Sequence, residues 1–198
     1  GAKLSDTAPG DLIFADTNKD GVIDDKDKCM IGNPHPDVTM GLTLNFGYKG
    51  FDLGITTNAV FGNQIAKSYR SFTDQPKENY TTDILGRWHG EGTSNRLPRV
   101  ASGTNVNWLY ISDIFIEDGD YFRIQNVTLG YDFKKLFPRM PLGQARLYVT
   151  AQNLATFTKY SGMDPEIGYG ADKSWVSGID VGFYPSPRTY MIGVNLKF

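Results

Sequence analysis

From Thr189 to Phe198 hydrophobic and polar positions alternate one by one. Tyr190, Ile192, Val194, Leu196 and Phe198 fall on one side; Thr189, Met191, Gly193, Asn195 and Lys197 fall on the other. Successive side chains of a strand point to opposite faces, so the segment reads as a strand with one apolar and one mostly polar face. The same alternation returns upstream. Over Val38–Tyr48 the apolar set is Val38, Met40, Leu42, Leu44, Phe46 and Tyr48. Over Phe51–Phe61 it is Phe51, Leu53, Ile55, Ala59 and Phe61, and Lys49-Gly50 between the two reads as a tight hairpin turn. Over Gln144–Asn153 it is Ala145, Leu147, Val149 and Ala151. In Tyr121–Phe133 the phase slips by one, from Phe122 and Ile124 to Val127, Leu129 and Tyr131. A slip of this kind predicts a β-bulge near Gln125-Asn126.

The connections alternate as well. Residues 49–50 and 134–142 are short links, whereas 62–119 and 154–187 are long and polar. All long connections therefore emerge at one end of the sheet. Outer-membrane barrels have this pattern, with short periplasmic turns and long extracellular loops. Structureless loops of such length are uncommon in compact sandwiches. Arg146 and Lys197 sit on polar faces, where a wet lumen tolerates them, and no charge falls on an apolar face away from a strand end. The expected fold is all-β: antiparallel up-and-down strands forming the C-terminal segment of a transmembrane β-barrel. Residues 1–37 are expected to be an extracellular loop. Residues 38–198 are expected to hold about the last five strands, with their final end in the periplasm.

Composition narrows the picture. The 22 glycines and 13% aromatic residues favour turns and strands over helices. A net charge of −2 does not suggest a nucleic-acid partner. Cys29 is the single cysteine, so no intrachain disulfide forms, and it is expected to be a small packed side chain. No segment approaches the ~20 apolar residues of a membrane helix. The chain starts at Gly1 without a signal peptide, and is expected to be a piece of something longer.

One motif carries metal chemistry. Asp16, Asn18, Asp20, Val22, Asp24 and Asp27 occupy the ligand places of a calcium loop, with Gly21 at the sharp turn and Asp instead of Glu in the final place. The spacing wraps hard oxygens around one ion, and the crowded carboxylates repel each other without a cation. Asp11–Ala15 before the loop reads as a strand, so the site is expected to be a structural calcium staple rather than a paired EF-hand. The alternative is a solvated acidic turn. His35 and His89 stand in no ligand spacing. No nucleophile elbow, phosphate loop or dinucleotide fingerprint is present. Asp164 and Glu166 offer two carboxylates, but a Pro-led loop explains them more simply than hydrolysis does. Trp88, Trp108, Tyr160, Tyr169 and Trp175 lie in the long segments. They are candidates to stack on a sugar or peptide, or to anchor the loops by packing.

Taken in order, these segments resemble the late part of SusC/RagA-type TonB-dependent outer-membrane transporters. The resemblance rests on Gly10–Asp16 leading into the Asp/Asn loop, Ile31–Pro34, the hairpin Leu42–Leu53, Arg87-Trp88 with Pro98-Arg99, and above all Glu117–Tyr131. Ala151–Leu154, Thr158–Gly162, Asp164-Pro165-Glu166, Tyr184-Pro185 and the terminal Phe198 complete it. Residues 62–86 and 167–182 carry little of it. The resemblance implies a barrel of about 22 strands with an N-terminal plug, energy from TonB acting through that plug, and a SusD-like surface lipoprotein over the extracellular mouth. It also implies contact with outer-membrane lipid, oligosaccharide or peptide cargo, and no enzymatic activity. The expected function is thus a wall segment of a nutrient importer in a Gram-negative outer membrane. The alternative is a soluble, calcium-stapled β-domain that binds glycans at the cell surface. The two differ in whether the apolar faces are closed into a water-free core.

Overall fold

The structure, a computed structural model, describes residues 7–68, 82–100, 107, 110–167 and 177–198. The described residues form strands β1 (Val38–Tyr48), β2 (Phe51–Phe61), β3 (Gln64–Lys67), β4 (Ile116–Asp118), β5 (Tyr121–Asp132), β6 (Gln144–Thr158), β7 (Ile179–Asp180) and β8 (Thr189–Lys197). The five long strands form one antiparallel sheet in the order β1-β2-β5-β6-β8. Each is next to its predecessor among the long strands, so the sheet is an up-and-down meander. Lys49 and Gly50 both have positive φ, at 47° and 94°. That is the turn whose twist matches a tight hairpin.

Register places the hydrophobic pattern in rows across the sheet. Phe46, Leu53, Leu129, Val149 and Ile192 are successive cross-strand partners on one face. Thr43, Thr56, Asn126, Gln152 and Thr189 form a corresponding row on the other. The bulge falls where the phase slip places it. Gln125 is skipped between Ile124 and Asn126, which pair with Thr57 and Thr56. Without the skip, Phe122 and Ile124 would flip onto the polar face. On β6 the same gap is met by Asn153 and Leu154, and Asn153 takes a positive φ of 51°.

The apolar face is not covered. Phe46 is 57% exposed, Val194 59% and Ile192 78%; Leu147 is also exposed and Leu53 half-buried. The buried hydrophobic residues among those described are Ala59, Ile65, Tyr121, Ala145 and Tyr160. These few do not make the closed core that a self-contained soluble domain needs, and so they count against the soluble alternative. No helix among the described residues is long and apolar enough to cross a membrane.

Some boundaries differ from the sequence expectation. β6 continues five residues past Asn153, to Thr158, because Ala155 and Phe157 resume the apolar row once the bulge is passed. The connection expected at 154–187 therefore begins later. The long segments also hold structure of their own. β4, β3 and β7 make a small sheet, with β3–β4 antiparallel and β3–β7 parallel. This sheet joins the connection after β2 to the connection after β6, with Ile65 fully buried in it. Asp11–Ala15 is not a strand. Its Leu12 N–H is taken by the Asn107 side chain at 2.6 Å, so no ladder forms there. Cys29 is a free, exposed thiol rather than a packed one.

A charge placed on the bare face tests the arrangement. Leu44→Arg, midway along β1 on the bare face, is expected to destabilise the membrane-inserted sheet by about 2–4 kcal/mol, while Thr43→Arg on the opposite face changes it little. Denaturant unfolding from lipid vesicles measures both. Equal effects would contradict the two-faced reading.

Candidate functional site: the polar face and the loops above it

The polar face is built around two charged clamps. At the end with the short turns, Arg146 of β6 reaches over β5 to Asp52 of β2. Its Nε donates to Oδ1 at 2.8 Å and its Nη2 to Oδ2 at 2.5 Å. The strand crossed carries Gly130 at this level. A Cβ there would lie 2.5 Å from the Asp52 carboxylate and 2.6 Å from the guanidinium, so the pair requires glycine beneath it. The Arg146 guanidinium also stands 4.7 Å over the Tyr148 ring. Tyr148 in turn lies over Gly193, where a Cβ would come within 2.3 Å of the ring.

At the end with the long loops, Arg123 of β5 is 3% exposed. Its Nε donates to Thr156 Oγ1 at 2.9 Å. Its two terminal nitrogens donate to the carboxylates of Asp164 and Glu166. Asp164 is nearly buried, whereas Glu166 is about half exposed. The guanidinium lies 5.5 Å over the Tyr121 ring, and the Tyr121 hydroxyl accepts from Asn58 at 3.3 Å. The Asp164-Pro165-Glu166 turn is thereby drawn down onto the sheet. Both carboxylates are engaged by one cation, an arrangement for holding a loop and not for acid–base work. Asn58 Oδ1 and Asn126 Oδ1 are buried on this face without a protein partner. Acceptors of this kind are met by water in folded proteins.

Above the sheet a second set of bonds joins the loops to each other. Ser161 receives Lys67 Nζ at 2.5 Å and gives its hydroxyl to Glu117 at 2.7 Å. Tyr160 is buried, and its hydroxyl donates to the buried Asp180 at 2.5 Å. Asp180 also accepts the backbone N–H groups of Gly182 and Phe183. Tyr160 thus packs as an anchor. Trp88 is half-buried, with its ring so close to Gly10 that a Cβ there would come within 2.2 Å. Trp108, Tyr169 and Trp175 lie outside the described residues.

The Gly10–Asp16 segment is pinned by Arg99, which binds both oxygens of Asp11 at 2.8 and 3.1 Å. Asn107 adds a bond to Asp11 at 2.8 Å. Burial raises the Asp11 pKa, but the hydrogen bonds from Arg99, the Ala8 N–H and Asn107 outweigh it and hold the carboxyl below its ordinary 3.8.

The calcium-like loop takes the turn its sequence implies, with Gly21 at φ 86°. Its carboxylates are spent on the backbone. Asp16 accepts from Asp20 and Gly21, Asp20 from Val22, Asp24 from Lys26, and Asp27 from Thr17 and Asp24. The Asp24 N–H, the largest influence, and those of Thr17 and Asn18 hold the Asp27 carboxyl below its usual range against its own burial. The donor set is that of a calcium loop in kind and order. No cluster of three or more acidic, His or Cys side chains positioned to hold a metal occurs among the described residues.

Sequence reasoning overlooked Arg123. The available signal was an arginine on the polar face of a strand, matched downstream by two carboxylates straddling a proline.

No family model matches the chain. It is 36% identical over 198 residues to the TonB-dependent receptor P3 of Formosa agariphila, covering 98% of this chain and 19% of that protein. It is 35% identical over 192 residues to the TonB-dependent receptor SusC of Bacteroides thetaiotaomicron, covering 96% of this chain and 18% of that one. A solved structure of the RagAB peptide transporter superposes on 83% of the chain with a TM-score of 0.65 and 26% identity, matching 17% of its own chain. The chain thus spans less than a fifth of the length of these relatives. It belongs to the SusC/RagA type of TonB-dependent receptors, and its meander corresponds to part of their barrel wall. These are outer-membrane β-barrel proteins of Gram-negative bacteria and not enzymes.

Two outcomes follow. Arg123→Ala leaves the nearly buried Asp164 unpaired and is expected to cost about 3–5 kcal/mol. Glu166→Gln, at a half-exposed partner, should cost no more than ~1 kcal/mol; thermal unfolding compares them. The lowered pKa of Asp11 gives stability that is complete above the unfolded value and is lost as pH falls through the lower folded one. Asp11→Asn should therefore free the 10–16 segment to protease at neutral pH, where the parent segment is released only in acid.

Proposed function

We propose that this chain forms part of the wall of a TonB-energised outer-membrane importer that takes up oligosaccharides or peptides together with a SusD-like surface lipoprotein. One observation carries the reading. Apolar rows run in register across five strands on an uncovered face, while the opposite face is polar and clamped. Such a sheet suits oil on one side and a wet pore on the other. In this reading the long connections and residues 1–37 face outward from the cell. The short turns face the periplasm, and TonB acts through the plug of the whole receptor. The Arg123 clamp fixes the outward connection after β6 against the pore wall, at the level where cargo enters. A peptide cargo draws support from the likeness to the RagAB peptide transporter. An oligosaccharide cargo draws on the family resemblance alone.

The test is made in the native bacterium. Affinity purification of the receptor should bring down a surface lipoprotein, and deleting the receptor should abolish growth on one oligosaccharide or peptide source and spare growth on its monomers. Unchanged growth on all such sources would end the importer reading.

The 16–27 loop is proposed to take calcium through Asp16, Asn18, Asp20, the Val22 carbonyl, Asp24 and Asp27, after the carboxylates turn away from the backbone N–H groups they now accept. Support comes from the oxygen-only donor set and the glycine at the turn. Millimolar calcium is then expected to raise the melting temperature and chelator to lower it. A flat calorimetric titration would remove the metal and leave the self-bonded loop.

A further inference from the structure

We propose that the short-turn end of the sheet carries a binding site for anionic glycerophospholipid on its outer, lipid-facing rim. The inference rests on the membrane-wall reading above and adds a ligand class to it. The argument begins with which face each charge occupies. Lys49, in the β1–β2 turn, holds its ammonium 5.2 Å over the ring of Tyr48, a residue of the apolar face. Lys135, in the β5–β6 connection, lies against Gly50, and so does the ring edge of Tyr131, another apolar-face residue. A Cβ at Gly50 would meet the Lys135 stem at 3.1 Å and Tyr131 at 3.2 Å. The two turns are tied by Asp132 N–H to the Gly50 carbonyl at 2.8 Å. Arg139 follows in the same connection and is exposed.

None of Lys49, Lys135 and Arg139 has an ion-pair partner among the described residues. The carboxylates of this end point the other way. Asp52 sits on the pore side in the clamp with Arg146, and Asp132, opposite Arg146 on that side, accepts the N–H groups of Lys134 and Ala145. Around these two turns the outer rim is therefore cationic, with no side-chain carboxylate beside it among the described residues. Directly beneath it lies an aromatic belt, with Phe51 and Tyr131 rings 4.4 Å apart and Tyr131 and Phe133 5.2 Å apart. Between the cations, Leu136 and Phe137 are more than half exposed. Apolar tips, ring edges and cations without ion-pair partners gathered at one end of the sheet match an acyl–headgroup boundary that bears phosphate. Because this end bears the short turns, the occupant is a phospholipid of the periplasmic leaflet and not the lipid A phosphates of the outer one.

The test uses receptor released from its own outer membrane in mild detergent. Native mass spectrometry counts the phosphatidylglycerol and phosphatidylethanolamine it retains. The parent is expected to prefer phosphatidylglycerol. Lys135→Gln should lower that preference about fivefold, and the combined Lys49→Gln, Lys135→Gln, Arg139→Gln protein should lower it further. Lys197→Gln, on the pore side, should leave it unchanged. Heat-resistant migration on gels establishes that each barrel is folded, and the single variant keeps the comparison usable if the triple one is not. Equal retention of both lipids by a membrane-inserted receptor, an equal drop with Lys197→Gln, or displacement of phosphatidylglycerol by lipid A would each overturn the rim site alone. A receptor that stays folded in water with no lipid or detergent would overturn the membrane-wall reading and the rim site with it.

Discussion

A sheet with one uncovered apolar face is stable only against a second apolar phase, and everything else in this molecule follows from that requirement. Soluble sheets meet it with another layer of protein. Here no second layer is present among the described residues. Leu44, Phe46, Val149, Ile192 and their neighbours stand bare in aligned rows. In a bilayer the same rows lose no water contact they need, and the backbone polar groups are already paired within the meander. The free edges at β1 and β8 are the remaining open pairings of this segment, and a barrel wall closes them with further strands.

The polar side obeys a different rule. Charges there are held across strands and not along them. The Asp52–Arg146 pair spans β5 and needs Gly130 below it, while Tyr148 lies flat because Gly193 leaves room. Glycines that look like weak points of a strand are thus what allows large polar groups to lie against the wall. Such cross-strand pairs resist slippage, because a shift of one residue would separate the charges and turn apolar residues inward at the same time. The Arg123 clamp extends this logic to a loop. It draws Asp164 and Glu166 onto β5 through a cation whose own burial depends on them.

The long connections are not passive. β3, β4 and β7 knit two of them into a single small sheet; Lys67–Ser161–Glu117 adds side-chain bonds between the two, and Tyr160–Asp180 closes the second upon itself. The loop layer is therefore braced from within by residues distant in sequence. Aromatic residues in such loops divide into anchors and contact groups only once their partners are known; Tyr160 is an anchor.

Strand identity, the facing of each side chain, the Lys49-Gly50 turn and the bulge at Gln125 were legible in the sequence, because a period of two and a phase slip are local properties of the chain. The same locality made the family resemblance readable. The end of β6, the small loop sheet, the absence of a strand at Asp11–Ala15 and the whole Arg123 clamp were not legible, because each depends on a partner tens of residues away. Asp16 to Asp27 shows the boundary between the two. Its residue order specifies a tight acidic turn, but which groups its carboxylates face is set by the folded backbone around them. What the chain determined by itself was which atoms prefer oil and which prefer water. Tertiary structure alone decided which charges meet, since that requires strands to be brought side by side.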